Sequence, residues 1–257
     1  LLDFNERTIP PSQEVKNALK EFAENGNLQI YPEYGPVTNE LAKFLNIQSN
    51  HLMLANGSDN AIDTIMRCYL ESGDKVLIPQ PSFTMFAHSA NLQGAQIVSA
   101  NYTKAEGYPL AEVTKLLSGG DIKMCIICNP NNPTGTVLAQ NAVEKLIKDF
   151  PKTMFLIDEA YYEFLQETSL AFALKYSNVV LTRTFSKAMG IPALRFGYVV
   201  ALPEVLVELI KVRGPYAVNM MSVTAVLAAL KNPAYVTAYA NEVMTISKPE
   251  MESFYHK

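Results

Sequence analysis

A single lysine, Lys187, lies in the run "TRTFSKAMGIPALRFGY" (residues 182–198) between a hydroxyl residue and small apolar neighbours. An ammonium group in such surroundings is poorly solvated. Its pKa falls, and the free amine becomes a nucleophile toward a carbonyl. The residues before it are apolar and β-branched, so Lys187 falls just past a strand, on a turn containing Gly190 and Pro192. A surface lysine after a strand has the same local pattern, so other segments must decide between the two. "FLIDEAYYEF" ends an apolar strand on Asp158, and the phenol of Tyr161 follows three residues later. Strand C-termini in open α/β sheets face the ligand crevice, and a carboxylate there needs a cation or a donor; a turn acid is the plainer alternative. "CNPNNPTG" sets Asn129, Asn131 and Asn132 in a frame of Pro130, Pro133 and Gly135, stiff enough to aim an amide. "ANGSDNAID" places Gly57, Ser58 and Asp59 at a helix start, with Ser58 read as the N-cap. Free N–H groups and the helix dipole suit a phosphate there, although any N-cap looks similar. Phe83 follows another strand and could stack on a flat ring, while Phe86 reads as core.

These residues form a set: an amine, a carboxylate, a phenol, an amide, an arginine (Arg195) and a helix start. Pyridoxal phosphate needs each of them. Its aldehyde takes an amine, and its ring nitrogen stays protonated against a carboxylate. Its ring oxygen takes a phenol and an amide, and its phosphate takes N–H groups and a guanidinium fork. Neither G-x-G-x-x-G nor G-x-x-x-x-G-K-[ST] occurs, which removes the main support for dinucleotide and P-loop readings.

The elements that must position these groups are short β-rich runs at 75–79, 124–128, 154–158, 179–185 and 197–202. Most are apolar on both faces, as strands covered on both sides are. Helix-like segments at 58–70, 141–150 and 204–212 alternate with them, which predicts an α/β fold with a mainly parallel sheet. The last two runs are too close for a crossover helix, so their pairing is expected to be antiparallel. From "MMSVTAVLAALK" onward the chain reads as helical, with a break at Asn232-Pro233. Cys125 and Cys128 match C-x-x-C, but residues three apart on a strand point to opposite faces, so both read as buried thiols. His51, His88 and His256 show no ligand spacing, and no metal site is expected.

With 257 residues, 49% apolar and 18% charged, the chain has ordinary globular composition. A net charge of -4 gives no support for a nucleic-acid or polybasic membrane surface. No apolar run approaches the roughly 20 residues a bilayer span needs, and the N-terminus does not read as a signal peptide. A cytoplasmic location is the default expectation.

The motifs "YPEYG", "NGSDNAID", "PSFTMF", "NPNNPTG", "DEAYYEF", "TFSKAMGIPALRFGY" and "RGPYAVN" run in order from about residue 31 to 219. By them the chain resembles the fold-type I pyridoxal-phosphate aminotransferases of class I/II, and within these the histidinol-phosphate aminotransferases. The resemblance implies a three-layer α/β/α large domain with a mostly parallel sheet over residues 27–212. It assigns residues 1–26 to an arm of a small domain, and 213–257 to a helical segment leading to a small C-terminal domain that the chain lacks. It also implies that Lys187 holds the cofactor aldehyde and later shuttles a proton, that Asp158 pairs with the ring nitrogen, and that Tyr161 and Asn132 hold the ring oxygen. Phe83 would stack on the ring, and Gly57, Ser58, Asp59, Thr184, Ser186 and Arg195 would line the phosphate pocket. Tyr31 would reach the phosphate of the partner subunit in a homodimer. Histidinol phosphate as amino donor and 2-oxoglutarate as acceptor, in histidine biosynthesis, follow as the leading expectation. Phospho-amino-acid decarboxylases, aromatic amino acid aminotransferases and a truncated, non-catalytic cofactor-binding chain stand as alternatives. The family's arginine for the substrate's acidic group lies in the small domain, which makes Arg213 the first residue to test for that role in this chain.

Overall fold

One seven-stranded sheet organises the computed structural model, which describes residues 4–255. The ends of the expected terminal segments, 1–3 and 256–257 with His256, lie outside the described residues. The strands are β1 (Leu52–Ala55), β2 (Lys75–Leu77), β3 (Gln96–Val98), β4 (Ile122–Cys128), β5 (Met154–Asp158), β6 (Val179–Thr184) and β7 (Gly197–Val200). Their order is β1-β7-β6-β5-β4-β2-β3. Strands β3, β2, β4, β5 and β6 pair in parallel, and β7 runs antiparallel to both of its neighbours. The β6–β7 connection holds only a short turn, Pro192–Leu194, so the chain reverses without a crossover helix, as its length required. Strands β1 and β3 are not among the runs the sequence singles out. They span 4 and 3 residues.

The helices are α1 (Gln13–Asn25), α2 (Gly35–Leu45), α3 (Gly57–Tyr69), α4 (Thr84–Leu92), α5 (Leu110–Leu117) and α6 (Gln140–Asp149). They continue with α7 (Tyr162–Leu165), α8 (Leu170–Ala173), α9 (Pro203–Val212), α10 (Met220–Leu230), α11 (Pro233–Glu242) and α12 (Lys248–Tyr255). The expected break falls between α10 and α11, where Pro233 begins the new helix because its missing N–H costs nothing in a first turn.

Alternate residues of each central strand feed two separate cores. On β4, Cys125 and Ile127 join one cluster, with Val143 of α6 and Val223 of α10. Met124, Ile126 and Cys128 join the other, with Ile62 and Ile65 of α3, Phe86 of α4 and Leu209 of α9. The two thiols thus sit on opposite faces, both buried and free. Helices cover both faces, giving three α/β/α layers. Val15 of α1 is also buried in the first cluster, so the N-terminal helix packs onto the same layer as α10.

A buried charge pair fastens the loop after β5 to the sheet. The side chains of Arg183 on β6 and Glu159 are 2% and 1% exposed, with Nη2 2.8 Å from Oε2. The second carboxylate oxygen accepts from the Ser169 N–H, Thr168 Oγ1 donates to Oε2 at 2.8 Å, and the Tyr162 ring lies 3.5 Å from the Arg183 guanidinium carbon. Glu159 immediately follows Asp158, and Arg183 immediately precedes Thr184, so the pair locks neighbours that face the other way. Breaking one partner strands a buried charge. Arg183→Met should therefore cost about 3–5 kcal/mol in urea unfolding, and Arg183→Met with Glu159→Leu should recover most of it. A single variant as stable as the parent would show the pair to be solvated after all.

Candidate active site

At the C-terminal ends of β4, β5 and β6 lies a cavity of about 320 Å³. Ten residues expected from the sequence line it: Ser58, Asp59, Phe83, Asn132, Asp158, Tyr161, Thr184, Ser186, Lys187 and Arg195. They come from five separate stretches of chain, because parallel strands all deliver their last residues to one edge. Phe4, Asn5 and Glu6 also line it. The polar run "NERTIPPS" carries no local pattern that places it here, since the contact between Phe4 and Lys187 spans 183 positions along the chain.

Asp158 is 2% exposed, and its Oδ1 accepts from the Ala160 N–H at 2.8 Å. Burial pushes its carboxyl up to about 7, and the nearby acids Asp59 and Glu159 add to the rise against the stabilising Ala160 N–H. A carboxylate so placed is short of a cation. A protonated ring nitrogen would supply one. Burial lowers the Lys187 amine below the ordinary lysine value, and Arg195 works in the same direction against Asp59, Asp158 and Glu6. Lys187 Nζ donates to the Phe4 carbonyl at 2.8 Å and stands 5.6 Å from the centre of the Tyr161 ring. The Tyr161 hydroxyl accepts from Asn5 Nδ2 at 2.9 Å, and burial raises its pKa.

The opposite end is built for an anion. Helix α3 begins at Gly57 with Asn56 as its N-cap and no side-chain cap, so Ser58 lies inside the first turn and is not the cap residue expected from the sequence. The Asn56 N–H is taken by Asn60 Oδ1 at 3.1 Å, while the N–H groups that follow it in the first turn have no intrahelical acceptor. Arg195 reaches over this turn, with Nη2 2.8 Å from Asp59 Oδ2. Two glycines allow the approach. A Cβ on Gly57 (φ +81°) would sit 2.5 Å from Arg195 Nη2, and a Cβ on Gly197 would sit 2.6 Å from the Ser58 nitrogen. Thr184 Oγ1 lies 3.0 Å from Ser186 Oγ and accepts from the Ser186 N–H at 3.1 Å, adding hydroxyls at the same place. Bare helix N–H groups, a guanidinium and hydroxyls fit a phosphate ester; the buried acid and the depressed amine fit the ring nitrogen and aldehyde of pyridoxal phosphate.

The three asparagines of "NPNNPTG" have different jobs. Asn129 exchanges two hydrogen bonds with the Leu138 backbone, at 2.9 and 3.0 Å. Asn131 ties the loop to Pro81, Ser82 and Thr134. Only Asn132 of the three reaches the cavity. Phe83 lines it with its ring edge-on to the core residue Phe86, 5.7 Å between centroids. Tyr31 reaches neither this cavity nor its neighbour; it is 72% exposed and stacks on Tyr216 at 4.2 Å. Arg213 also lies off the cavities. Its Nη1 donates to the Leu54 carbonyl at 3.1 Å and it faces Tyr34, which corrects the expectation that it is the first candidate for a substrate's acidic group.

The family model for aminotransferase class I and II matches residues 1–251. A dihydroxyacetone phosphate transaminase from Campylobacter jejuni is 36% identical over 245 residues, covering 94% of this chain and 67% of that protein. A histidinol-phosphate aminotransferase from Symbiobacterium thermophilum is 36% identical over 247 residues, covering 91% of this chain and 65% of that protein. The crystal structure of histidinol-phosphate aminotransferase from Sinorhizobium meliloti in complex with pyridoxal-5'-phosphate superposes with a TM-score of 0.87 at 22% identity, covering 93% of this chain and 66% of that one. The chain thus spans about two thirds of the length of these relatives. The motifs, the three-layer fold and the family match over residues 1–251 agree: this chain belongs to the class I and II aminotransferases.

Proposed function

We propose that the protein uses pyridoxal phosphate to move an amino group from a phosphorylated or otherwise acidic amino donor to a 2-oxo acid, with histidinol phosphate and 2-oxoglutarate as the first pair to test. The observation that carries this reading is one cavity holding a depressed lysine amine, a buried carboxylate and an arginine-capped helix start. Pyridoxal phosphate, when bound, supplies an electron-withdrawing ring that accepts the electron pair left on the donor carbon. Lys187 would hold the aldehyde end, and its Nζ would take and return a proton at the donor carbon. Asp158 holds the positive charge of the ring nitrogen. Tyr161 and Asn132 donate to the ring oxygen, and Phe83 covers a ring face. The N–H groups of Ser58 and Asp59, the hydroxyls of Thr184 and Ser186, and the Arg195 guanidinium hold the phosphate, with Gly57 giving Arg195 room.

Histidinol phosphate is favoured as the first donor because several relatives of about this identity carry that name. The transaminase named for dihydroxyacetone phosphate makes a phosphorylated substrate, and not the histidine skeleton, the shared feature. Residues 213–255 form, on this reading, the helical link from the large domain, and Tyr31 serves a partner subunit in a homodimer in the cytoplasm. Leu28, Ile30, Tyr31 and Tyr216 are all more than half exposed, which suits such an interface. No helix among the described residues is long and apolar enough to cross a membrane. The test is product analysis. Donor plus 2-oxoglutarate should give glutamate and the donor's oxo product. Histidinol phosphate carries no carboxyl group, so the decarboxylation arm uses O-phosphothreonine: release of carbon dioxide from it, with no glutamate formed from either donor, would replace this reading with decarboxylation.

A further inference from the structure

A second cavity, of about 650 Å³, opens beside the first and shares Lys187, Tyr161 and Asn132 with it. One side is apolar, with Phe164, Leu165 and Met244. Among its cations, Lys248 is exposed and lies 3.9 Å from Glu252. Arg7 is placed differently. Its guanidinium carbon sits 4.4 Å from the ring centres of both Tyr235 and Tyr239. Its Nη1 donates to the Ala188 carbonyl at 2.9 Å and its Nη2 to the Tyr235 carbonyl at 3.3 Å. Its aliphatic stem fills the space where Gly190 lacks a side chain; a Cβ there would sit 2.4 Å from Cδ. The fork is therefore held against the turn that carries Lys187.

No carboxylate pairs with Arg7 among the described residues, and its Nε is buried without a hydrogen-bond partner. The other arginines are accounted for. Arg183 pairs with Glu159, Arg195 with Asp59 and Arg67 with Asp63, while Arg213 lies off both cavities. A part-buried cation without an anion carries a desolvation cost that a bound anion relieves. A fork already fixed by two aromatic rings and two carbonyls also loses little freedom on binding.

We infer that Arg7 receives the acidic group of the amino donor, so that the N-terminal arm sets the preference for donors bearing a phosphate monoester or a second carboxylate. This rests on the aminotransferase reading above. Both anions present oxygens that a planar fork can meet in pairs, and the alkyl or ring stem of the donor lies along the apolar side of the cavity. Arg7 is not a catalytic residue; it selects and orients.

The test loads the parent, Arg7→Gln and Arg7→Lys with pyridoxal phosphate and titrates each with matched donors, read by visible absorbance. Histidinol phosphate and histidinol differ only in the phosphate; glutamate and 2-aminobutyrate differ by the distal carboxylate. Arg7→Gln should weaken the acidic member of one pair by about 10- to 100-fold, and Arg7→Lys by less, because it keeps charge but loses the fork. The neutral member and cofactor loading should change by less than about twofold, since neither meets the fork. Loss on histidinol phosphate alone assigns a phosphate, and loss on glutamate alone a carboxylate. Equal loss on acidic and neutral members shows a structural arginine and overturns the inference, as does no loss on any donor. A parent protein that responds to no donor sinks the aminotransferase reading instead. Calorimetric binding of inorganic phosphate to the loaded protein then decides Arg7 separately. Weaker binding in Arg7→Gln supports the anion site, and unchanged or absent binding overturns it.

Discussion

Replacing Lys187 by alanine should leave a protein that no longer fixes pyridoxal phosphate under borohydride and turns over at least about 1,000-fold more slowly. The amine does two jobs, anchoring the aldehyde end and carrying the proton, and a positioned proton carrier alone contributes about 10²–10⁴-fold. Its environment fits both. Burial lowers its pKa, and Nζ donates to the Phe4 carbonyl at 2.8 Å beside the other groups of the cavity. Peptide mass analysis of the reduced parent should place the label on Lys187. A label elsewhere, or normal turnover in the alanine variant, would remove Lys187 from the mechanism.

Asp158→Asn should act in opposite directions on catalysis and on the stability of the cofactor-free protein. On catalysis the loss is about 10²–10³-fold, the usual effect of removing one preorganised electrostatic partner, because the amide cannot hold charge on the ring nitrogen. On stability the sign reverses. Burial raises the Asp158 carboxyl to about 7, so the native state keeps a proton that the unfolded chain releases near its ordinary value of about 4. Between those values stability falls as pH rises, by at most about 4 kcal/mol in total. The asparagine variant lacks this ionisation. It should melt higher than the parent at pH 8 and nearly the same at pH 4. Cofactor loading should narrow the difference at pH 8, since a ring cation stabilises the carboxylate. Matching melting-versus-pH curves for the two cofactor-free proteins would show that Asp158 does not titrate in this range.

The site is more legible in the sequence than its boundary is. Lys187, Asp158, Tyr161 and Asn132 lie at the ends of short apolar strands or just after them, Arg195 lies just before β7, and the sheet brings all of these positions to one edge. That placement follows from hydrophobic runs and their spacing, which are local properties. The antiparallel β7 was legible for the same reason, since the residues between the two strands cannot hold a crossover helix. The opposite faces of Cys125 and Cys128 followed from the two-residue strand period alone.

What the sequence could not determine depends on contacts between distant segments. Helix α3 begins one residue before the expected cap, because Gly57 at φ +81° lets Arg195 close on its first turn and Gly197 lets the helix approach β7. No pattern within "NGSDNAID" encodes that approach. The buried Arg183–Glu159 pair likewise joins two residues that read separately as a strand arginine and a turn acid. The arm from Phe4 to Arg7 has no periodicity, yet contacts with Lys187, Tyr161, Tyr235 and Tyr239 hold it in the lining of the two cavities. Backbone period and turn chemistry therefore decided which groups stand at the sheet edge. Tertiary packing decided what covers them, because burial, charge pairing and the closing of one segment over another arise only once both are in place.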